Sequence, residues 1–291
     1  MNGSEKHFGV VVGVDGSGYA DVAVRWAAHE AVMRRTCLTL VQAIAMPNPL
    51  WPMSEVRELY EADAKAILDD AVQNLDSYSM AERPRELRRE LFYSRPASAL
   101  VDMSKDATMV VVGARGLGAV RRVLLGSVGS ALVHHAHCPV AVVHEDASLE
   151  AQAEHSPVLL GTDGSAASDL ATEIAFEEAS MRGAELVVLH AASDTEMSKY
   201  LGTEYLAGLS DVGAMLDGCL AGYQERYPDV HVHRTVMDDR PAARLLSLSA
   251  TTQLVVVGSH GRGGFAGMAL GSVSSAVAHA ARTPVIVARR A

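Results

Sequence analysis

The chain has 291 residues, 49% of them hydrophobic, and carries 35 Asp and Glu against 25 Lys and Arg, for a formal net charge of −10. That length suits two domains with a core each, and the negative balance argues against nucleic acid as the main partner, short of a local basic patch. No uninterrupted apolar run approaches the roughly 20 residues of a membrane helix, and the start of the chain has no basic-then-apolar signal pattern. Cys37, Cys138 and Cys219 lack C-x-x-C spacing, so neither a disulfide framework nor a zinc site is expected. These readings point to a cytoplasmic protein with no membrane partner.

In chain order, residues 8–14 read as a buried strand, 19–34 as an amphipathic helix and 38–44 as a second strand. Pro47, Pro49 and Pro52 break the chain, and 53–75 has helical periodicity with Glu and Lys on its polar side. Then come a strand at 87–93, a short helix at 97–105, a strand at 108–113, a helix at 127–137 and a strand at 139–144. The same order returns from 158 to 287. Strands alternating with helices imply a parallel sheet covered on both faces by right-handed crossovers. Ligands of such sheets sit beyond the carboxyl ends of the strands, where strand order switches. Asp15 and Gly113 both fall at such ends.

The return is a duplication. Gly113-x₂-Gly116-x₉-Gly126-Ser127 recurs as Gly258-x₂-Gly261-x₉-Gly271-Ser272, each copy after a Val-Val-Val run and before an apolar-periodic helix. Val14-Asp15-Gly16-Ser17 is answered by Thr162-Asp163-Gly164-Ser165, Arg95-Pro96-Ala97 by Arg240-Pro241-Ala242, and Pro139-Val140 by Pro284-Val285. A period near half the chain fits two whole domains and is too long for a solenoid unit. The acidic, small-residue stretch at 145–156 reads as the linker, which gives domains at 1–146 and 156–291.

A glycine-rich turn from a buried strand into a helix start is where backbone closes on phosphate: glycine permits positive φ and close approach, and helix-end amides favour an anion. Ser127 and Ser272 fit N-caps of those helices, with hydroxyls facing phosphate oxygens. Asp15 and Asp163 are either turn formers or carboxylates that accept from ribose hydroxyls or hold a phosphate-bound cation, and the paired glycine loops favour the second reading. Gly13 and Gly161 would let the chain pass close to the ligand. Arg115 and Arg262 are candidate phosphate neighbours at non-equivalent positions, and a solvated loop arginine is the preferred account of each. No G-K-[ST] occurs, no G-x-G-x-x-G follows the first strand directly, and no base stands beside both loops, since His260 is replaced by Arg115. No catalytic residue is therefore assigned. The tract His134-His135-Ala136-His137-Cys138 admits a metal reading with His134 and His137 on one helix face. Only His134 has a counterpart, His279, and a helix C-terminus itself suits histidine, which is the preferred reading. Pro at a first helical turn explains Arg95-Pro96 and Arg240-Pro241 without function.

The strand–Asp–helix opening, the G-x₂-G-x₉-G-[ST] motif after the fourth strand and the closing Cys-Pro-Val or Thr-Pro-Val strand resemble the universal stress proteins, twice over and across nearly the whole chain. The resemblance implies an α/β fold of two tandem Rossmann-like, adenine nucleotide alpha hydrolase-like domains. Each would hold a five-stranded parallel sheet of order 3-2-1-4-5 and one ATP site, with Mg²⁺ as an optional companion. On that analogy Gly13, Asp15, Val41, Gly113, Ala114, Arg115, Gly116, Leu117, Gly118, Ala119, Gly126 and Ser127 contact ATP in the first copy. Gly161, Asp163, Leu189, Gly258, Ser259, His260, Gly261, Arg262, Gly263, Gly264, Gly271, Ser272 and Val273 do so in the second, with Val41 and Leu189 at the adenine. Ala114 stands where the second copy has Ser259, which removes a hydroxyl and puts equal affinity of the two sites in question.

The leading functional expectation is an ATP-binding stress-response regulator that acts through nucleotide-dependent conformation or contacts with a regulatory protein partner, as a homodimer of the tandem chain. A weak ATPase or other adenylate-processing enzyme is the alternative. A scaffold with vestigial loops is the third reading, and keeping the motif twice speaks against it.

Overall fold

The computed structural model describes residues 7–45, 53–78, 83–117, 125–144, 156–165, 168–192, 205–238, 240–261 and 270–290. It divides into two compact units, residues 1–147 with 290–291 and residues 148–289.

The first unit runs β1 (Gly9–Gly13), α1 (Gly18–Met33), β2 (Leu38–Ala43), α2 (Met53–Ser77), β3 (Leu87–Phe92), α3 (Pro96–Met103), β4 (Ala107–Gly113), α4 (Ser127–His135) and β5 (Val140–Val143). The second runs β6 (Val158–Thr162), α5 (Asp169–Arg182), β7 (Leu186–Ala192), α6 (Tyr205–Arg226), β8 (Val232–Asp238), α7 (Pro241–Ser249), β9 (Leu254–Gly258), α8 (Ser272–Ala280) and β10 (Val285–Ala288). Both are α/β. In the first unit the strands lie in the order β3-β2-β1-β4-β5 and in the second β8-β7-β6-β9-β10, every pairing parallel.

Composition explains which strands lie inside. Val10, Val11 and Val12 of β1 and Val110 and Val111 of β4 are fully buried, because a central parallel strand has a covered face on either side. β3 sits at the end of the order and alternates exposed with half-buried residues, Leu87 included. The helices behind β1 and β6 are alanine-rich, so they form readily and approach the sheet closely. Ala20, Ala23, Ala27, Ala28 and Ala31 of α1 are buried, as are Ala171, Ala175 and Ala179 of α5.

Each helix carries one buried carboxylate: Glu30 pairs with Arg34 at 3.2 Å, and Glu178 with Arg182 at 3.0 Å. The two helices also end alike. Thr36 N–H donates to Ala31 O and Ala184 N–H to Ala179 O, both at 2.9 Å, which forces the intervening residue into the left-handed region. Gly183 holds that place in the second unit at φ 58°, and Arg35 holds it in the first at φ 52°.

Strand order reverses between β2-β1 and β4-β5, and between β7-β6 and β9-β10. Chains leaving the carboxyl ends of β1 and β4 therefore diverge to opposite faces and leave a crevice.

Candidate functional site

β1 ends at Gly13, and Val14 N–H still donates to Val41 O at 2.9 Å. The next turn is built by Asp15. Its Oδ1 accepts from Ser17 N–H at 3.0 Å and from Ser17 Oγ at 2.6 Å, while Gly16 takes φ +80°. Ser17 then caps α1, its Oγ accepting from Ala20 N–H at 3.2 Å. The second unit repeats this turn: Asp163 Oδ1 accepts from Ser165 N–H at 3.0 Å and Ser165 Oγ at 2.6 Å, with Gly164 at φ +70°. Ser168 Oγ adds a third donor to Asp163 Oδ1. An aspartate that organises a strand-to-helix turn is thus present in both units.

The carboxylate also reaches across to the glycine loop. Asp15 Oδ2 accepts from Leu117 N–H at 3.0 Å. A Cβ placed on Gly116 would overlap that same oxygen, and one on Gly261 would lie 2.7 Å from Asp163 Oδ2. None of Gly113, Gly116, Gly126, Gly261 and Gly271 has a positive φ. Close approach, not a left-handed backbone, is what requires glycine at Gly113, Gly116 and Gly261, whereas a Cβ on Gly126 or Gly271 would meet only ordinary contacts at 3.6 and 3.5 Å; positive φ belongs instead to Gly16 and Gly164. Gly113 has the backbone of Tyr19 within 2.8 Å of any Cβ. At Gly13 and Gly161 the space is filled by protein: Leu100 lies 3.0 Å and Leu245 2.8 Å from such an atom. Those two glycines make room for α3 and α7, and Gly13 also lines the cavity between the strand ends.

The caps of α4 and α8 also differ from expectation. Gly126 (φ −67°, ψ 166°) and Gly271 (φ −71°, ψ 151°) are the N-caps, and Ser127 and Ser272 are the first helical residues. The glycines turn there because Gly126 N–H donates to Ala114 O and Gly271 N–H to Ser259 O, both at 2.7 Å. Neither helix has a side-chain cap, so its first amides are left for solvent or a ligand.

These pieces enclose a cavity of about 440 Å³ in the first unit. Gly13, Asp15, Val41, Gly113, Arg115, Gly116, Leu117, Gly126 and Ser127 line it. Ala114 is buried and is not among the lining residues. Gln42, Ala43, Pro96, Leu100 and Val128 line it too and were not anticipated. The duplication could have supplied Val128, whose counterpart Val273 was singled out in the other copy. Pro96 was read only as a helix starter. Arg115 is held in the wall: its Nη1 is 3.3 Å from Tyr19 Oη and its guanidinium 5.7 Å from the Tyr19 ring centre. It is not the solvated loop residue that was preferred from sequence.

In the second unit the corresponding residues stand at equivalent ends. Gly161 pairs with Leu189 on one side and Val257 on the other. Gly258 ends β9, and Ser274 Oγ donates to its carbonyl at 2.5 Å. Ser259 Oγ lies 3.0 Å from His260 Nδ1, where the first unit has Ala114 and Arg115. Gly271, Ser272 and Val273 open α8. Gly118, Ala119, Arg262, Gly263 and Gly264 lie outside the described residues.

The histidine tract takes another form than a shared helix face. α4 ends at His135, so His137 is beyond it, with its N–H donating to Ser104 Oγ at 2.9 Å. His134 Nδ1 lies 2.6 Å from Ser130 O, and His279 Nδ1 lies 2.6 Å from Ser275 O. Among the described residues no three His, Cys, Asp or Glu side chains are grouped to hold a metal, and no helix is long and apolar enough to cross a membrane.

A doubly wound α/β unit, present twice and with a glycine loop and a capless helix start at its switch point, defines the class of protein. The family model of the universal stress protein family matches residues 9–144 and again 155–289. The chain belongs to that family and carries its domain in tandem. Universal stress protein Rv2005c of Mycobacterium tuberculosis is 48% identical over 294 residues, spanning 100% of both chains. Universal stress protein Rv2623 of the same organism is 45% identical over 293 residues, spanning 99% of each. Among solved structures, a universal stress protein from Archaeoglobus fulgidus superposes with a TM-score of 0.70 at 18% identity, covering 99% of this chain and 100% of that one, a likeness of fold.

Proposed function

We propose that the protein is a nucleotide-binding regulator with one ATP site per unit, whose occupancy biases its conformation and its contacts with a regulatory protein partner. The observation that carries this reading is the first-unit cavity. It lies beyond the carboxyl ends of the parallel strands, joins an apolar wall to an arginine, and includes the uncapped start of α4. About 440 Å³ falls within the range of small-molecule sites.

The donor set fits ATP. Val41, Leu100 and Val112 offer an apolar slot for a purine. Arg115 and the first amides of α4 offer positive charge and N–H donors to phosphate oxygens. Three donors already occupy the Asp15 carboxylate, which has about four acceptor positions, so roughly one remains for a ribose hydroxyl or a phosphate-bound Mg²⁺. In the second unit Leu189, His260, Asp163 and the start of α8 take these roles. Bound ATP would supply the purine edge and the phosphate charge; the chain's residues bind and orient it. The tandem chain works in the cytoplasm and pairs as a homodimer in this reading.

The test is to purify the untagged protein without added nucleotide, denature it, and quantify what is released by chromatography and mass spectrometry. Two ATP per chain are expected, and none from the folded Asp15→Ala/Asp163→Ala variant. Nucleotide content unchanged in that folded variant would overturn the assignment, and recovery of ADP would favour turnover over retention.

A further inference from the structure

We propose that Asp15 is a positioning residue that latches the glycine loop, and that a carboxylate, not the ligand, is what excludes a side chain at Gly116 and, through Asp163, at Gly261. One oxygen of Asp15 is anchored on the α1 cap through Ser17 N–H and Oγ, at 3.0 and 2.6 Å. The other accepts the amide of Leu117, 102 residues away, at 3.0 Å. The carboxylate therefore ties the end of β1 to the loop after β4, across the switch point. Each oxygen serves a different segment, so neither contact is made at the expense of the other.

Gly116 sits on this latch. Its φ is not positive, so alanine would meet no left-handed penalty there, yet a Cβ would overlap Asp15 Oδ2 and, among the described residues, meet only Asp15 Cγ besides within 4 Å. Gly261 has the same two neighbours, Asp163 Oδ2 at 2.7 Å and Cγ at 3.5 Å, and no positive φ. Recurrence in both units, with different residues around each loop, assigns the glycine to the aspartate. Leu117 is 72% exposed, so slow exchange of its amide would come from the latch and not from burial. That the latch serves ligand binding rests on the nucleotide reading above; the latch itself is a property of the nucleotide-free chain.

The experiment is a double-mutant cycle of Asp15→Ala and Gly116→Ala in the full-length chain. It is read by NMR-detected hydrogen exchange of the Leu117 amide in nucleotide-free protein, with ATP release followed separately in Gly116→Ala, whose carboxylate is intact. The latch predicts a protected Leu117 amide in the wild type and exchange at least about tenfold faster in either single variant. Amides of β1 and β4 should stay unchanged, which separates loop release from failure to fold. Adding Gly116→Ala to Asp15→Ala should not change exchange further, because the oxygen it collides with is gone. An unprotected Leu117 amide in the wild type, protection surviving in Asp15→Ala, or an equal cost of Gly116→Ala in both backgrounds would each overturn the proposal. If ATP fails to bind while the exchange cycle holds, the latch stands and the nucleotide reading falls.

Discussion

At the residue scale, the glycines of this chain are glycine for different reasons, and each reason predicts a different mutant. Gly113→Ala would drive a Cβ to 2.8 Å from the Tyr19 backbone, which cannot retreat as a flexible side chain would. Overpacking of that kind costs roughly 1–3 kcal/mol, seen as a lowered Tm. Arg35 is the converse case: it holds a left-handed position where the other unit has Gly183. Arg35→Gly should raise stability by about 1 kcal/mol in thermal or urea unfolding, because the Cβ penalty is removed. Arg115 lies in the cavity wall against Tyr19 and would face phosphates. Arg115→Ala should weaken ATP binding by about tenfold or more while leaving adenosine binding nearly unchanged, as read by calorimetric titration. Equal loss for both ligands would remove Arg115 from the phosphate role.

At the element scale, the hydrophobic periods and β-branched runs placed every helix and strand of the first unit within two residues of where it lies, since each buries one face or both. What periodicity could not show is how helices grip one another. α6 is held to α5 by Phe176, fully buried, which stacks on Tyr223 at 5.5 Å and Tyr227 at 5.9 Å between ring centres. Phe176→Ala should cost about 3–5 kcal/mol and loosen α6 before the sheet melts, a sequence that hydrogen exchange would reveal. Burial pushes both tyrosine phenols above their ordinary range, with Asp169 adding to it at Tyr223 and Glu177 at Tyr227. Since the neutral phenol is the form favoured by the fold, this contribution is complete below the ordinary phenol range. It is lost as pH rises through the raised values. Ultraviolet difference titration should show a late-ionising pair of tyrosines that disappears in the Phe176→Ala protein.

At the scale of the whole molecule, duplication has produced two candidate sites that are alike in frame and unlike in the residues beside their glycines. Arg115 braced by Tyr19 stands in one, and His260 beside Ser259 in the other. Asp163 takes an extra donor from Ser168, where the first unit has Ala20. Two nucleotides of unequal affinity per chain are therefore expected. Asp15→Ala alone or Asp163→Ala alone should each leave one ATP bound, with different dissociation constants. Identical constants for the two single variants would show that the loop differences do not reach the ligand.

The sequence by itself determined the doubling, the α/β alternation, the family and the neighbourhood of the site, because all of these are written in local spacing: apolar period, Asp-Gly-Ser turns and glycine intervals. Only the tertiary structure decided what each of those residues is for. Gly13 makes room for Leu100, Gly116 makes room for Asp15, Gly126 caps α4 in place of Ser127, and half-buried Arg115 rests against Tyr19. The partners lie far along the chain: Leu100 from Gly13, Asp15 from Gly116, Ala114 from Gly126 and Tyr19 from Arg115. Contacts of that kind are fixed by how strands pair and helices pack, and they leave no trace in the spacing of neighbouring residues.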